Sequence, residues 1–287
     1  MSSDKLYEYF KKKFAAEDLN FLFDSHAHLY EFDKVEIEEI ISFARKSGVD
    51  KIINVGIDLR TSEKVLENSR NFPQILYPTA GIHPELLIPG SNNFSALINE
   101  DSVLGLLASL REFIKKYHKE IIMVGECGLD YYWLNKSKLK SDQIEKSKRL
   151  QKLLFKGHLE IAHEFDLPLT IHTRDSLDDA LSIVAEFDEN LFGIFHSFTG
   201  NKTDLDYIFS ANFAIGLNAI ITYKGASDVL TTIKSHLGSQ KLKNLGDYYK
   251  NNIYFETDTP YLIPAKASGK FNQPANLKYI VEKLNVI

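Results

Sequence analysis

Apolar runs rich in β-branched and aromatic residues alternate with helix-period segments along nearly the whole chain, and this alternation constrains the fold most. The strand-like runs are Phe21–Leu29, Lys51–Ile57, Ile75–Ile82, Ile121–Cys127, Leu167–His172, Leu191–Phe198, Phe213–Ala219 and Asn252–Thr257. Helical spacing of apolar residues follows over Asp33–Lys46, from Thr61, and over Ser102–His118, Gln143–Phe165, Ser176–Phe187, Thr203–Phe209 and Ser227–His236. A last such pattern runs from Pro274 to the end. Eight β-α units in succession predict an α/β fold closed as a (β/α)8 TIM barrel, because right-handed crossovers place every helix outside the strands. An open nucleotide-binding sheet is disfavoured, since no Gly-rich phosphate loop follows the first strand.

The 287 residues suit a single barrel, and an apolar fraction of 44% supplies its interior. Residues 1–20 precede the first strand. Leu6, Phe10 and Phe14 recur there at helical spacing, which predicts an extra N-terminal amphipathic helix packed on the barrel, with Lys11, Lys12 and Lys13 on its solvated side. Residues 21–287 form the barrel domain. No stretch is apolar enough to span a bilayer or to serve as a signal peptide, and nothing calls for a membrane or an obligate protein partner. The lone cysteine, Cys127, allows no intramolecular disulfide, so a cytoplasmic location is expected; its thiol reads as packing ahead of reactivity. A net charge of −5 argues against a surface that wraps duplex nucleic acid, but not against a local pocket for a strand end.

Chemistry concentrates where the apolar runs stop. His26 and His28 lie two apart at the end of the first, so a strand would turn both imidazoles to one face. Alone, such a pair is often chance. Glu126 ends the fourth run, His172 the fifth, His196 the sixth and Asp258 the eighth. Barrel active sites sit at the C-terminal ends of the strands, so these six residues converge on one mouth. Four imidazoles and two carboxylates suffice for two divalent cations, Zn²⁺ or Mn²⁺ ahead of Mg²⁺. Asp258 is placed both to ligate and to take a proton from water. Glu256, deeper in the same run, reads as a support. His118, His158, His163 and His236 fall in helical patterns and read as surface or packing residues.

These segments resemble one family. Asp24-Ser25-His26-Ala27-His28, Gly81-Ile82-His83-Pro84, Gly125-Glu126-Cys127-Gly128-Leu129-Asp130-Tyr131-Tyr132, Leu167 through Arg174, His196 through Gly200 and Glu256 through Leu262 are similar to the TatD family of metal-dependent deoxyribonucleases, in the family's order. The resemblance covers about residues 21–284. It implies that His26, His28 and Asp258 hold one metal, His172 and His196 the second, and that Glu126 bridges them. It further implies a substrate-facing His83, a phosphate-binding Arg174, and hydrolysis of DNA phosphodiesters, often from a strand end, by a metal-bound hydroxide, with Asp258 and Glu126 as the catalytic carboxylates.

Two departures stand out. Ser268 replaces an Arg that the family commonly carries, and the chain stops where relatives continue through another helix, so the N-terminal helix is expected to cover surface that helix covers. Tyr131-Tyr132-Trp133, followed by Lys136, Lys138 and Lys140, offers Trp133 as a stacking surface for single-stranded DNA, or else a solvated helix start. The same barrel and ligand set would equally serve an amide, lactone or aminoacyl-ester hydrolase, and a non-catalytic binding module would keep the metals without using Asp258.

Overall fold

A computed structural model describes residues 5–91, 99–136, 138–187, 190–238 and 242–284. The loop expected over 84–95 and the final helical pattern therefore lie partly outside the described residues, as does Ser137 of the aromatic–lysine loop. Eight strands follow one another around a single sheet: β1 (Leu22–Ala27), β2 (Val49–Asn54), β3 (Leu76–Ala80), β4 (Met123–Asp130), β5 (Leu169–Arg174), β6 (Gly193–Phe195), β7 (Phe213–Leu217) and β8 (Ile253–Phe255). Every neighbouring pair is parallel. Beyond β8 the chain closes the ring on β1: Asp258 N donates to His26 O at 2.8 Å, and His28 N donates to Thr259 O at 2.7 Å. The expected TIM barrel is the fold.

The helices are α1 (Lys5–Lys13), α2 (Lys34–Lys46), α3 (Leu59–Asn71), α4 (Glu100–Tyr117), α5 (Tyr132–Lys136), α6 (Ser141–Phe165), α7 (Leu177–Ala185), α8 (Lys202–Ser210), α9 (Ser227–Leu237), α10 (Leu245–Lys250) and α11 (Leu277–Lys283). Their starts follow capping chemistry. Asp33 accepts from Glu36 N at 2.9 Å while the Glu36 carboxylate takes Asp33 N, a reciprocal box that fixes where α2 begins. The short α5 breaks what the sequence reads as a polar loop, and α10 escapes the apolar pattern because so few of its residues repeat.

The N-terminal segment crosses the end of the barrel where the strands begin. Phe10 meets Phe23 of β1 and Tyr254 of β8 edge-on, with ring centroids 5.5 and 5.7 Å apart. Phe14, just beyond α1, packs on Tyr77 of β3 at 4.7 Å. Tyr9 Oη donates to Ile122 O ahead of β4 at 2.6 Å, and Lys5 Nζ to Asn190 O ahead of β6 at 2.8 Å. The segment thus plugs the floor with aromatic area and satisfies carbonyls that open strand starts leave free.

At the other end the ladder is irregular. Register slips between Asp24 and Ala27 on β1, and between Val124 and Cys127 on β4. Bulges of this kind re-aim side chains. His26 and Glu126 sit inside these two slips.

Candidate metal centre

His26 and His28 face each other as the spacing of two predicts, with their Nε2 atoms 3.2 Å apart. Each ring is held from behind. His28 Nδ1 lies 3.1 Å from Val55 O, an acceptor only, so that nitrogen carries the proton and Nε2 presents a lone pair. His26 Nδ1 lies 3.1 Å from Thr170 Oγ1. Glu126 Oε2 stands 3.4 Å from His26 Nε2 and 3.5 Å from His28 Nε2, and Asp258 Oδ1 stands 3.4 Å from His28 Nε2. Lone pairs and carboxylates this close repel unless a cation or proton lies among them. Ligand atoms about 2.0–2.1 Å from one tetrahedral ion lie about 3.3 Å from each other, which these separations match.

The second oxygen of Glu126 turns the other way. Oε1 is 3.1 Å from His172 Nδ1 and 3.6 Å from His83 Nε2. His172 Nε2 is backed by Asp130 Oδ2 at 3.2 Å. His196 is built alike: Nδ1 is 2.8 Å from Glu256 Oε1, and Nε2 points to Asp258 Oδ1 at 3.8 Å. A carboxylate behind an imidazole fixes the ring and raises its basicity as a ligand. Glu256 is therefore the support expected of it, its Oε1 also accepting from Ser197 N at 2.7 Å, and Gly216 provides the space because a Cβ there would strike the carboxylate. Asp130 is the residue that sequence reasoning missed. It stood inside the quoted motif, but only the extension of β4 to Asp130, alongside Arg174 of β5, brings it to His172.

Atoms of His26, His28 and Glu126, of His26, His196 and Asp258, and of His83, Glu126 and His172 each cluster tightly enough to surround an ion. The third group is weakened by its own hydrogen bonds. His83 Nδ1 accepts from Glu85 N at 3.1 Å, which leaves the neutral ring's proton on Nε2, facing Glu126. Burial keeps His83 neutral, depressing it to about 3 despite the nearby Glu126. His83 thus offers the site an N–H rather than a lone pair. His172 and His196, the implied partners at a second metal, have ring centroids 6.3 Å apart, while His196 stacks on His26 at 3.7 Å.

The electrostatics favour positive charge at His172 and His196 and negative charge at the carboxylates between them. Burial opposes protonation of His172, but Asp130 and Glu126 outweigh it and push the ring up to about 9. Burial likewise opposes protonation of His196, and Glu256 with Asp258 drives it up to about 10. Burial would raise Glu126, yet His83, His26 and His172 hold it well below the usual carboxylate range. Asp258 is lowered in the same sense by His196 and His28. Asp24 staples the centre together: wholly buried, it accepts from His26 N at 3.2 Å and from Thr257 N at 2.9 Å, tying β1 to the segment carrying Asp258.

Above these residues opens a cleft of about 980 Å³, lined among others by Tyr30, His83, Glu85, Lys148, Arg174, Asp258 and Tyr261. The Arg174 guanidinium stacks over Tyr132 at 3.9 Å and lies 5.6 Å from Trp133. Trp133 itself is 52% exposed on the rim, outside the cleft lining. Tyr131 is buried and bonds Asp179 at 2.9 Å. Ser268 is exposed on the loop beyond β8, and Asn272 nearby anchors that loop through Thr257 O at 2.7 Å. His158, in a helical pattern, is wholly buried and holds Ile82 N at 3.0 Å, beneath the turn that carries His83. Among the described residues no helix is long and apolar enough to cross a membrane.

Comparison with known proteins identifies the family. The pattern of the family described as TatD related DNase matches residues 23–287. An uncharacterized metal-dependent hydrolase, YabD of Bacillus subtilis, is 30% identical over 267 residues, covering 92% of this chain and 89% of that protein. A protein of Escherichia fergusonii named 3'-5' ssDNA/RNA exonuclease TatD is 25% identical, covering 86% and 83%. The crystal structure of the TatD homolog YJJV of Escherichia coli superposes with a TM-score of 0.70 at 22% identity, over 91% of this chain and 90% of that one. Eight parallel strands, a mouth crowded with imidazoles and carboxylates, and the family match together place this chain in the TatD-related DNase family of metal-dependent hydrolases.

Proposed function

We propose that this protein hydrolyses phosphodiester bonds of DNA, taking single strands or strand ends, with two divalent cations held at the barrel mouth. The observation that carries the reading is the division of Glu126, which gives Oε2 to His26 and His28 and Oε1 to His172 beneath a cleft edged by Arg174. His26, His28 and Asp258 would hold one ion, His172 and His196 the other, and Glu126 would bridge them. Such ions, when bound, activate water near neutral pH and offset the charge of a phosphodiester.

The chain's own residues complete the chemistry. Asp258, kept ionised by His196 and His28, accepts the proton given up by the attacking water. His83 donates from Nε2 to an oxygen of the scissile phosphate, its tautomer set by Glu85 N. Arg174, splayed flat on Tyr132, meets a neighbouring phosphate, and the exposed Trp133 offers a face for an unpaired base. The name of the Escherichia fergusonii relative supports a nucleic-acid substrate. An amide, lactone or aminoacyl ester would use the same centre but has no need of a cation and a ring at the rim.

Metal analysis of the purified protein, followed by digestion of an end-labelled oligonucleotide with Zn²⁺, Mn²⁺ or Mg²⁺, tests this. Release of nucleotides from the oligonucleotide is expected. Turnover of a carboxylic ester or lactone with none of DNA would overturn it. Asp258→Asn should abolish turnover while the protein still takes up metal, which a non-catalytic binding module would not show.

A further inference from the structure

The two halves of the mouth differ in a way the metal centre does not use. Over β1 and β8, Tyr261 Oη donates to Glu31 Oε1 at 2.6 Å, joining the turn after β1 to the loop after β8. The Tyr261 ring stands 6.0 Å from the ring of His28, so this bar lies directly beside the candidate centre. Its loop is fixed rather than loose. Tyr261 N donates to Asp258 O at 2.8 Å, Asn272 N to Pro260 O at 2.9 Å, and Asn272 Nδ2 to Leu262 O at 3.0 Å.

Among the described residues, lysine and arginine line the cleft on one side of the same divide only. Glu31 forms one end of the bar, and Glu85 lines the cleft from the turn after β3. The cations lining the cleft, Lys148 and Arg174, come from the side of β4 and β5. On that side Asp179 is neutralised by Lys152 at 2.8 Å and bonded by Tyr131, while Asp175 and Asp178 line the cleft beside Arg174.

We propose that the Glu31–Tyr261 pair is a stop that admits only a chain end, making it a determinant of substrate form. This rests on the nuclease reading. A continuous strand must leave the mouth through both halves, and on the β1–β8 side its next phosphate would meet a tethered tyrosine and the Glu31 carboxylate, with no lysine or arginine among the described residues lining the cleft there to receive it. A terminal phosphodiester meets no such demand. It enters over Arg174 and Tyr132, and the stop receives the last nucleoside without a further phosphate.

Circular and linear single-stranded DNA of one sequence, incubated with Mn²⁺ or Zn²⁺, read this directly. The unaltered protein should shorten the linear strand and leave the circle closed. Glu31→Ala with Tyr261→Ala should raise the ratio of circle to linear cleavage by about tenfold or more, as expected when like-charge repulsion is lifted. Should the double variant not fold, Glu31→Gln, which removes the charge, and Tyr261→Phe, which removes the bond, report the same ratio. A circle opened by the unaltered protein as fast as the linear strand is cut would overturn the stop alone. So would an unchanged ratio in folded variants. A protein that cuts neither form with any ion, yet hydrolyses a lactone or carboxylic ester, would overturn the nuclease reading and the stop with it.

Discussion

Near the start of β1, Phe23 packs among Phe10, Phe14, Tyr249 and Tyr254; three residues on, His26 faces His28, Glu126 and Asp258. Along β8 a step of two residues leads from Tyr254 in the floor to Glu256, just past the strand and beneath His196. The floor gains free energy from every ring it buries. The mouth instead holds ionisable groups in a dry setting where each demands a counter-charge. Along these two strands one end thus serves stability and the other gathers groups that can surround a cation, and mutations at the two ends should separate cleanly.

The mouth should show the largest effect. Glu126→Gln is expected to lower nuclease turnover by about a thousandfold or more, since it removes the shared oxygen pair that positions both ligand groups. Its cost to metal-free stability should stay below about 2 kcal/mol, because His172 can release its proton once the carboxylate is gone. Turnover and denaturant midpoints measured on one preparation check both halves. A stability loss as large as that of a core truncation would break the comparison.

The floor should behave oppositely. Phe10 is fully buried, and Phe10→Ala should cost about 3–5 kcal/mol through lost contact and the cavity left among Phe14, Phe23 and Tyr254. Turnover per folded molecule should not change. Removing residues 1–18 should lower the melting temperature for the same reason, and an unchanged melting temperature would mean that the aromatic plug contributes nothing.

How far this division was legible in the sequence depends on the kind of contact. The barrel followed from alternation, because period and strand count are local and survive small errors at element ends. His26, His28, Glu126, His172, His196 and Asp258 could be gathered because a parallel barrel brings all strand ends to one face. Asp130 could not, since it lies past the expected end of β4 at Cys127, and only the pairing of Asp130 with Arg174 across β4 and β5 reveals it. The Glu31–Tyr261 bond was equally hidden, as it joins loops at opposite ends of the chain. Hydrogen-bond direction, such as the proton on His83 Nε2, depends on Glu85 N and has no sequence signature. Length and composition told nothing of these.

His158 tests a region between floor and mouth. Buried in α6, it accepts from Ile82 N and stands 2.8 Å from Leu154 O through Nδ1, so the fold holds the neutral ring. Burial depresses it to about 4 from an ordinary 6.5. An unfolded chain therefore takes up a proton that the folded one refuses between those values. The contribution is full above pH 6.5 and lost as pH falls toward 4, about 3 kcal/mol in all. Denaturant unfolding of the protein and of His158→Gln from pH 7 to pH 4 should show the variant's pH slope flattened by this amount. Equal slopes would mean that the ring is not held neutral.

The smallest effect belongs to the rim, where neither burial nor ligation acts. Trp133 is half exposed and stands edge-on to Tyr132 at 5.0 Å, so Trp133→Ala should leave stability within about 0.5 kcal/mol. If the ring stacks a base, the variant loses about 1–2 kcal/mol of strand binding, seen as a higher KM for single-stranded DNA with kcat kept. Neutralising Lys136 and Lys138 alongside should flatten the salt dependence of that KM. A small model diester reaches the centre without touching the rim, so its hydrolysis should be unchanged. An equal fall on both substrates would show that Trp133 supports Arg174 and Tyr132 rather than the strand, and would move the rim into the structural half of the comparison.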